Sequence, residues 1–562
     1  MWWKDAVFYE IYVPAFRDST GRGIGDLRGI TQEIPYLADL GVDALWLTPV
    51  YASPMDDNGY DISDYYGVNP LFGTMEDMTE LIGEAQSRGI RVVLDMVLNH
   101  TSLEHPWFQQ SCSADPGEAA DWYIWSREPG NNWESFFGGS AWQWNEARKA
   151  YFYHSFSPSM ADLNWENPQV REMMYAVLRF WLDLGVDGFR LDVINHLKAG
   201  NPWQRNNPVS ASGEQIHRYD CDAPGIPKIL REIRDLCEDY GDILLLGEVG
   251  SEQPEVLARY QRDTALDLVF GFHTGSIKTL SPQRLSAALE ESCRCFSAPW
   301  EQTTSHFTTH DMGRLASRMR PAGGVMLRGL LSALVFGPGI PLLYQGDELG
   351  LEDYRPKTIS QIFDVQALGH FHHGINQGQP EEQAFARALE KCRDGSRMLL
   401  YGSHPPGTGQ ESVRTLVPPG DGTVESLRKE QQEDPSSVYT WVASLLQLRR
   451  MAVETSSDAP DGFEIRTGES HVWIFTRTIH GTKITTAVNA GDRAVELGTP
   501  MAGDVVLNYR FLGDARELPD GGVSKARGVH QGLDILEGQS VAVLIASRDT
   551  LSEGTGSRPL IT

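Results

Sequence analysis

One pattern recurs eight times in the first 350 residues and restricts the fold more than any other feature. A short β-branched or apolar stretch ends in polar residues, and a stretch with helical periodicity follows it. Strands that alternate with helices form parallel sheets, and eight such units close into a barrel. The sequence therefore predicts an α/β protein built on a (β/α)8 TIM barrel. The predicted strand segments are 6–16, 42–51, 90–100, 186–196, 243–250, 265–272, 305–311 and 339–350.

Two interruptions and one change of pattern predict the domain organisation. Residues 101–165, after the third strand, are rich in Trp, Gly, Ser and Asn, which favours a small inserted domain. A second irregular insertion follows the eighth strand at about 355–425. Beyond about residue 470, short alternating segments are typical of an antiparallel β domain. The predicted domains are a barrel over 1–100 and 166–470, an inserted domain over 101–165 and a C-terminal β domain over 471–562.

The charge and the cysteines bear on partners and location. A formal net charge of -28 disfavours nucleic acid and anionic membranes as partners. The six cysteines lack the paired spacing of a zinc site, and we expect free thiols. No leader-like segment and no apolar run of membrane-spanning length is present, so we expect a cytoplasmic protein. The sequence carries no signal for an oligomeric state.

Polar residues at the predicted strand ends point to one site. In the segment 185–196, Arg190 and Asp192 share one strand face, while Val193 is expected on the other, because successive side chains alternate. Active sites of (β/α)8 barrels lie at the C-terminal ends of the strands. Further candidates at those ends are Asp95, Asn99, His100, His196, Glu248, His310 and Asp311. The alternative for Arg190 and Asp192 is a buried ion pair that serves stability only.

Four of these segments also resemble the signature regions of a known family. The stretches DMVLNH (95–100), GFRLDVINH (188–196), LLGEV (245–249) and TTHD (308–311) are similar, in this order, to those of the α-amylase superfamily, glycoside hydrolase family 13. Residues 58–78 and 162–168 resemble its oligo-1,6-glucosidase and α-glucosidase branch. The resemblance extends from residue 4 to about 545. It implies a retaining exo-α-glucosidase that hydrolyses terminal bonds of small α-glucosides.

The resemblance implies a role for each matching carboxylate. Asp192 matches the nucleophile that forms a covalent glucosyl-enzyme, Glu248 the general acid/base, and Asp311 the carboxylate that binds the 2- and 3-hydroxyls in the transition state. Asp61 and Arg393 resemble the pair that binds the terminal 4-hydroxyl. The implied substrate-binding residues are Tyr60, Asp61, His100, Arg190, Val193, His310 and Arg393.

The chemistry of double displacement fits these roles. It needs one ionised and one protonated carboxyl, roughly 5 Å apart, and requires no cofactor. We expect Arg190 to lower the pKa of Asp192, and crowding by Asp192 and Asp311 to raise that of Glu248. We expect His100 and His310 to donate hydrogen bonds to glucose hydroxyls.

The loop after the first strand departs from the branch. Members of the branch often carry a Ca²⁺ or Mg²⁺ loop there, with acidic residues at alternate positions. The corresponding positions here are Asp18, Thr20, Arg22, Ile24 and Asp26. A cation at position 22 repels a metal ion and is expected to pair with the two aspartates. We therefore expect an empty or very weak metal site.

Two further departures concern the leaving group. MADLN (160–164) and RMLLYG (397–402) stand where the branch usually has QPDLN and RTPMQW, and both are expected to flank the pocket entrance. Val193 follows the nucleophile, and in this branch valine goes with α-1,6 cleavage. Lys198 reads as an exposed helix lysine, with contact to the leaving sugar as the alternative.

Several alternatives remain open at this stage. The same carboxylates would serve an α-1,4-glucosidase, or a transglucosidase, isomerase or phosphorylase with an unusual acceptor site. A phosphorylated sugar is a further alternative, although no basic cluster marks a phosphate site. A non-enzymatic transporter subunit would lack the full set of carboxylates and carry a membrane helix.

Overall fold

The computed structural model describes residues 1–562 except 114, 199, 201–204, 212–214, 274, 276, 278–280, 320–322, 403–423, 456–459, 468–470, 502–503, 511–532, 538 and 547–562. Eight parallel strands form one sheet in which neighbours in sequence are neighbours in space. A single bridge between Val269 and Thr303 joins the sixth strand to the seventh and brings the two ends of the sheet together. The predicted (β/α)8 barrel is confirmed. Strands β1 to β8 are Phe8–Ile11, Ala44–Leu47, Arg91–Met96, Gly188–Leu191, Leu244–Glu248, Leu268–Phe270, Thr304–Ser305 and Ile340–Tyr344.

Helices surround the barrel, one after each strand. Four of them, α3 to α6, have proline in the first two positions, where its missing N–H costs no hydrogen bond. Helices α1 to α8 are Leu27–Leu40, Met75–Ser87, Pro168–Asp183, Ile226–Glu238, Pro254–Asp263, Pro282–Cys295, Gly323–Phe336 and Val438–Glu454. Further helices are Pro106–Ser111, Pro299–Gln302, Leu315–Met319, Val365–Asn376, Glu381–Lys391 and Val424–Glu433.

Alternation along the strands divides the core into two layers. Phe189 and Leu191 of β4 belong to the large cluster between sheet and helices, whereas Trp46 and Phe270 belong to the cluster inside the barrel. Arg190 points inward, with its guanidinium carbon 5.0 Å from the centre of the Trp46 ring and 5.9 Å from that of Phe270. The inner layer therefore combines apolar packing near the floor with charge near the mouth.

Two strand predictions differ from the structure. Strand β7 contains only Thr304 and Ser305, because the following residues turn across the barrel mouth. His310, for example, donates its backbone N–H to the side chain of Glu10 and not to the backbone of a neighbouring strand. Strand β4 ends at Leu191. Val193 is left-handed, with φ 37° and ψ 48°, so it does not continue the face of Phe189 and Leu191.

The insertions carry their own small sheets. Between β3 and α3, two strands pair His100–Ser102 with Met160–Asp162, and a three-stranded sheet contains Trp125–Ser126, Ala150–Tyr153 and Trp142–Asn145. Tyr51–Ala52 pairs with Asp64–Val68 after β2. After β8, helices Val365–Asn376 and Glu381–Lys391 pack against each other.

The C-terminal part contains an antiparallel sheet, as predicted. Its strands, in spatial order, are Gly462–Thr467, Val472–Ile479, Thr482–Asn489, Ser540–Ala546 and Asp504–Arg510; Val495–Met501 pairs separately with Leu533–Leu536. None of the six cysteines is in a disulfide. Among the described residues, no helix combines the length and apolarity needed to cross a membrane.

The close approach of β4 and β5 leaves no room for a side chain at Gly188. A Cβ there would lie 2.6 Å from the Cβ and 2.7 Å from the carbonyl oxygen of Leu244. We expect Gly188→Ala to destabilise the protein by about 1–3 kcal/mol, seen as a lower Tm. Gly83→Ala is the control: a Cβ on this exposed position of α2 meets nothing within 4 Å, and alanine should stabilise the helix by up to about 1 kcal/mol. Equal Tm values for the two variants would contradict this account of the β4–β5 contact.

Candidate active site

A buried arginine binds three carboxylates at the barrel mouth. Arg190 Nη1 lies 2.8 Å from Asp95 Oδ1 and 2.5 Å from Asp192 Oδ1, and its Nη2 lies 2.7 Å from Glu248 Oε2. The Arg190 side chain is 0% exposed, so its charge has no solvent to neutralise it and depends on these partners. Strands β3, β4 and β5 each contribute to the cluster, and their parallel register brings Asp95 beside Arg190.

Three carboxylates share one guanidinium in this cluster, and this excess of negative charge affects the pKa values of the carboxyls. Burial raises the pKa of Glu248 above its ordinary value, with Arg190 opposing the rise and Asp311 adding to it. Burial also raises the pKa of Asp192, and here too Arg190 opposes the rise without cancelling it. Arg190 lowers the pKa of Asp192 as expected, but desolvation outweighs this effect because three carboxyls share the one cation.

The backbone at Val193 completes the surroundings of Glu248. The N–H of Val193 donates to Glu248 Oε2 over 2.9 Å. The left-handed conformation that turns this N–H toward Glu248 is unfavourable for a β-branched residue, and such strain concentrates at functional sites. One Glu248 oxygen thus receives both this N–H and the charge of Arg190.

Asp311 lies in a different electrostatic environment. Its Oδ1 contacts Arg393 Nη1 at 3.2 Å and Arg397 Nη2 at 2.6 Å. Burial alone would raise the pKa of Asp311, but His310, Arg393 and Arg397 hold it well below its usual range. With 22% of its side chain exposed, Asp311 is the most accessible carboxylate of the mouth. It is therefore ionised and open to a ligand.

The structure brings Arg393 to Asp57 and not to Asp61. Arg393 Nη2 lies 3.1 Å from Asp57 Oδ1 and 2.6 Å from Asp364 Oδ1. Asp61 is buried and accepts the backbone N–H groups of Asp56 and Asp57, so it shapes the turn that carries Asp57. The prediction that Asp61 pairs with Arg393 is therefore wrong. Asp57 lies only four residues before Asp61 in the same loop, and the sequence pattern does not distinguish the two acids.

The structure places His310 between aromatic rings. The ring is nearly parallel to those of Tyr12 and Tyr60 and perpendicular to that of Trp46. His310 Nε2 lies 2.8 Å from the Tyr60 hydroxyl and 3.3 Å from Asp311 Oδ2. Predicted site residues Tyr60 and His310 therefore meet beside the acidic cluster.

His100 is available for a ligand, whereas Lys198 is not. Among the described residues, His100 Nε2 is buried without a hydrogen-bond partner, and burial lowers its pKa to about 4, so the ring is neutral. Lys198 is 0% exposed, and its ammonium donates to the carbonyl oxygens of His196 and Asp220. The prediction of an exposed lysine is wrong, because these carbonyls and the nearby Asp162 carboxylate surround the buried ammonium.

The two unusual segments have different roles in the structure. Met160–Asp162 of MADLN forms a strand beside His100–Ser102 and is buried. In RMLLYG, Leu399, Leu400 and Tyr401 are buried against the segment after β1, where Leu400 donates its N–H to Ala15. The expectation that this second segment flanks the entrance therefore holds only for Arg397, which contacts Asp311.

The loop after β1 does not fit a divalent cation. Asp18 accepts the backbone N–H groups of Thr20, Gly21 and Gly23, and Asp26 accepts those of Ser19 and Gly29. The expected pairing of Arg22 with the aspartates is not observed; its guanidinium donates to Thr20 Oγ1 and to the Leu71 carbonyl. Among the described residues, no group of three or more His, Cys, Asp or Glu side chains is arranged to hold a metal.

Comparison with known proteins identifies the family. The alpha amylase catalytic domain matches residues 10–457. The chain belongs to the α-amylase family. It is a glycoside hydrolase by membership of that family, whose catalysis needs no cofactor.

Relatives in this family differ in activity. The chain is 36% identical to trehalose-6-phosphate hydrolase of Bacillus subtilis, covering 80% of this chain and 83% of the relative. It is 35% identical to oligo-1,6-glucosidase of Parageobacillus thermoglucosidasius, covering 88% and 91%. Among solved structures, the alpha-glucosyl transfer enzyme XgtA has a TM-score of 0.80 and 31% identity, covering 97% of this chain and 99% of that one. Trehalulose synthase MutB of Pseudomonas mesoacidophila has a TM-score of 0.81 and 26% identity, with coverage of 97% and 99%.

Sequence reasoning missed Glu10, Asp57, Asp364 and Arg397 as neighbours of the site. Asp364 lies in the second insertion, and no local pattern signals that its carboxylate reaches Arg393. Arg397 was visible as the first residue of RMLLYG. Glu10 carried a stronger signal, since it is an acid in the middle of an apolar strand.

The carboxylates of Asp18 and Asp26 in the loop after β1 already accept several backbone N–H groups. We therefore expect that the stability of the protein does not depend on a metal ion. We expect EDTA to change the Tm by less than about 1 °C, because no bound ion is lost on chelation. The measurement is a thermal melt of protein purified without chelator, with and without EDTA. Restoration of several lost degrees by added Ca²⁺ would contradict the prediction.

Proposed function

We propose that this family member is a retaining exo-α-glucosidase that hydrolyses terminal α-glucosidic bonds of short oligosaccharides or small α-glucosides, with α-1,6 bonds preferred. The contact of Asp192 and Glu248 with the two terminal nitrogens of Arg190 is the observation that carries the proposal. Two carboxyls on one guanidinium are compatible with the roughly 5 Å spacing of retaining enzymes.

In this proposal the two carboxyls act in sequence. Asp192 attacks the anomeric carbon while Glu248 protonates the leaving oxygen, giving a covalent glucosyl-enzyme. Glu248 then removes a proton from water, which displaces Asp192 and releases α-glucose. The raised pKa of Glu248 favours the protonated form that the first step needs.

The remaining site residues bind and orient the glucose. Asp311, ionised and partly exposed, accepts hydrogen bonds from the 2- and 3-hydroxyls, and the neutral His100 offers its unpartnered Nε2. In the proposal, the ion pair of Asp57 and Arg393 closes the pocket behind one glucose, as exo-action requires.

The first experiment measures kcat/KM on isomaltose, maltose, sucrose, trehalose and trehalose 6-phosphate, with the products followed by NMR. We expect isomaltose to be the best substrate and α-glucose to appear before mutarotation. Asp192→Asn should abolish turnover with an unchanged circular dichroism spectrum. Release of β-glucose, or an active Asp192→Asn variant, would refute the proposal.

The same experiment tests the alternative of glucosyl transfer or isomerisation. The alternative is supported by the similarity to an alpha-glucosyl transfer enzyme and to trehalulose synthase. Both reactions use the same carboxylates and differ in the acceptor. Accumulation of new disaccharides instead of glucose would favour it, and exclusive turnover of trehalose 6-phosphate would favour a phosphorylated substrate.

The proposed role of the Asp57–Arg393 ion pair can be tested by removing the Asp57 carboxylate. Asp57→Ala leaves a buried guanidinium without one of its anions and removes a contact to the terminal sugar. We expect kcat/KM to fall about 10- to 100-fold, as for loss of a charged hydrogen bond. Asp56→Ala is the control, because this adjacent carboxylate is exposed. Equal losses in the two variants would contradict the assignment.

Val193 is proposed to favour α-1,6 bonds. Val193→Thr keeps a β-branched side chain and so leaves the backbone strain unchanged, which makes it a clean test of the side chain. We expect the ratio of kcat/KM for maltose to that for isomaltose to rise about tenfold. An unchanged ratio would assign the linkage preference to other residues.

A further inference from the structure

A buried glutamate contacts the histidine of the catalytic pocket from below. Glu10 on β1 is 0% exposed, and its Oε1 lies 2.5 Å from His310 Nδ1. The same oxygen accepts the backbone N–H of His310 over 3.1 Å. Its other oxygen is buried without a hydrogen-bond partner among the described residues. Among the described residues, both hydrogen bonds of this carboxyl go to His310.

The contacts of Nε2, on the opposite side of the His310 ring, indicate which ring nitrogen carries a hydrogen. The Tyr60 hydroxyl donates its single proton to Asp95 Oδ2 over 2.9 Å, so its oxygen is left as an acceptor. This arrangement assigns a hydrogen to His310 Nε2, which lies 2.8 Å from that oxygen. A 2.5 Å contact between Glu10 Oε1 and Nδ1 also requires a proton between them.

We propose that Glu10 is a positioning residue that shares one proton with His310 Nδ1 and thereby keeps His310 as an Nε2–H donor. The Nε2–H points to the Tyr60 hydroxyl oxygen at 2.8 Å, and Asp311 Oδ2 lies 3.3 Å from the same nitrogen, beside the place proposed for the glucose hydroxyls. The parallel Tyr12 and Tyr60 rings prevent the imidazole from turning its other edge into the pocket. The part that concerns sugar binding rests on the proposed function.

Other charges around the ring influence the same proton. Asp311 favours a protonated ring, whereas Arg190, Arg393 and Arg397 disfavour it. Burial, the largest effect, lowers the pKa of His310 and raises that of Glu10. These opposite shifts favour one proton shared by Glu10 Oε1 and His310 Nδ1, in addition to the hydrogen on Nε2. The titratable and charged groups that face the pair are Tyr12, Tyr60, Asp95, Arg190, Asp311, Tyr344, Arg393 and Arg397.

Glu10→Gln tests this assignment. The amide oxygen can still accept from the His310 backbone N–H and from Nδ1–H, but it brings no proton of its own. The neutral ring then carries its hydrogen on Nδ1, and Nε2 becomes an acceptor. The reverse amide orientation would leave the buried backbone N–H without an acceptor, which is unfavourable.

The expected kinetic signature is a loss that depends on pH. At about pH 7 we expect kcat/KM of Glu10→Gln to be about tenfold or more below the wild type, mostly through kcat. As the pH falls well below about 6.5, the usual pKa of histidine, protonation of His310 in the variant restores Nε2–H, so the difference shrinks; burial places this change at the acid end of the profile. A ratio that stays constant with pH would overturn the proposal.

Glu348→Gln provides a matched control for replacing a buried carboxyl by an amide. Glu348 is 0% exposed and accepts from the hydroxyls of Tyr9 and Tyr36 and from the N–H of Gly346. We expect this variant to lower the Tm while the pH dependence of kcat/KM keeps the wild-type shape. A matching change of pH profile in this variant would show that any buried amide has the effect, and would overturn the assignment.

A spectroscopic measurement separates this proposal from the proposed function. The ¹⁵N spectrum of protein labelled at histidine ring nitrogens, assigned with His310→Asn, reports which nitrogen carries hydrogen. We expect a protonated Nε2 in the wild type and an unprotonated Nε2 in Glu10→Gln at neutral pH. If the wild type hydrolyses no α-glucoside, the proposed function fails and these spectra alone decide on Glu10. Identical His310 signals in both proteins would overturn the proposal.

Discussion

The candidate active site depends on the burial of Arg190. Its guanidinium lies inside the barrel, stacked near Trp46 and Phe270 and removed from solvent. A charge in that position is costly unless carboxylates surround it, and the carboxylates are equally costly without the charge. Strands β3, β4 and β5 must therefore keep their register for any of these groups to be tolerated. The packing of the barrel and the charge balance at its mouth therefore depend on the same strand register.

The mouth contains two regions of opposite electrostatic character. In the first, one arginine serves Asp95, Asp192 and Glu248, so negative charge is in excess and the pKa values of Asp192 and Glu248 are both raised. The proposed mechanism assigns the proton to Glu248. In the second, Arg393 and Arg397 converge on Asp311 and keep it ionised. Carboxyls in one pocket thereby acquire different protonation states, which an acid and a hydroxyl-binding anion require. His310 lies between the two regions and contacts both through Tyr60 and Asp311.

Much of the fold could be predicted from the sequence, because barrel strands are short, apolar and regularly separated by amphipathic helices. The β7 strand and the end of β4 were the exceptions. The predicted β7 segment contains polar residues that turn across the mouth, and the left-handed Val193 lies beyond the end of β4. The residues at strand ends, such as Glu248, were recognisable because the fold places every strand end at one face. Contacts made by loops were not recognisable from the sequence. Asp57 and Asp61 have the same chemistry, and only the tertiary structure shows which one contacts Arg393. Lys198 was misjudged for the same reason, since the Asp220 carbonyl and the Asp162 carboxylate near its ammonium come from other parts of the chain.

The proposed covalent role of Asp192 is tested most directly by trapping the intermediate. A 5-fluoroglucosyl fluoride with α configuration reacts with a retaining nucleophile but slows the hydrolysis of the product, so the adduct accumulates. Mass spectrometry of a proteolytic digest then locates the added glucosyl group. The account predicts a label on Asp192 in the wild type and none in Asp192→Asn. A label on another residue, or hydrolysis with inversion and no adduct, would contradict it.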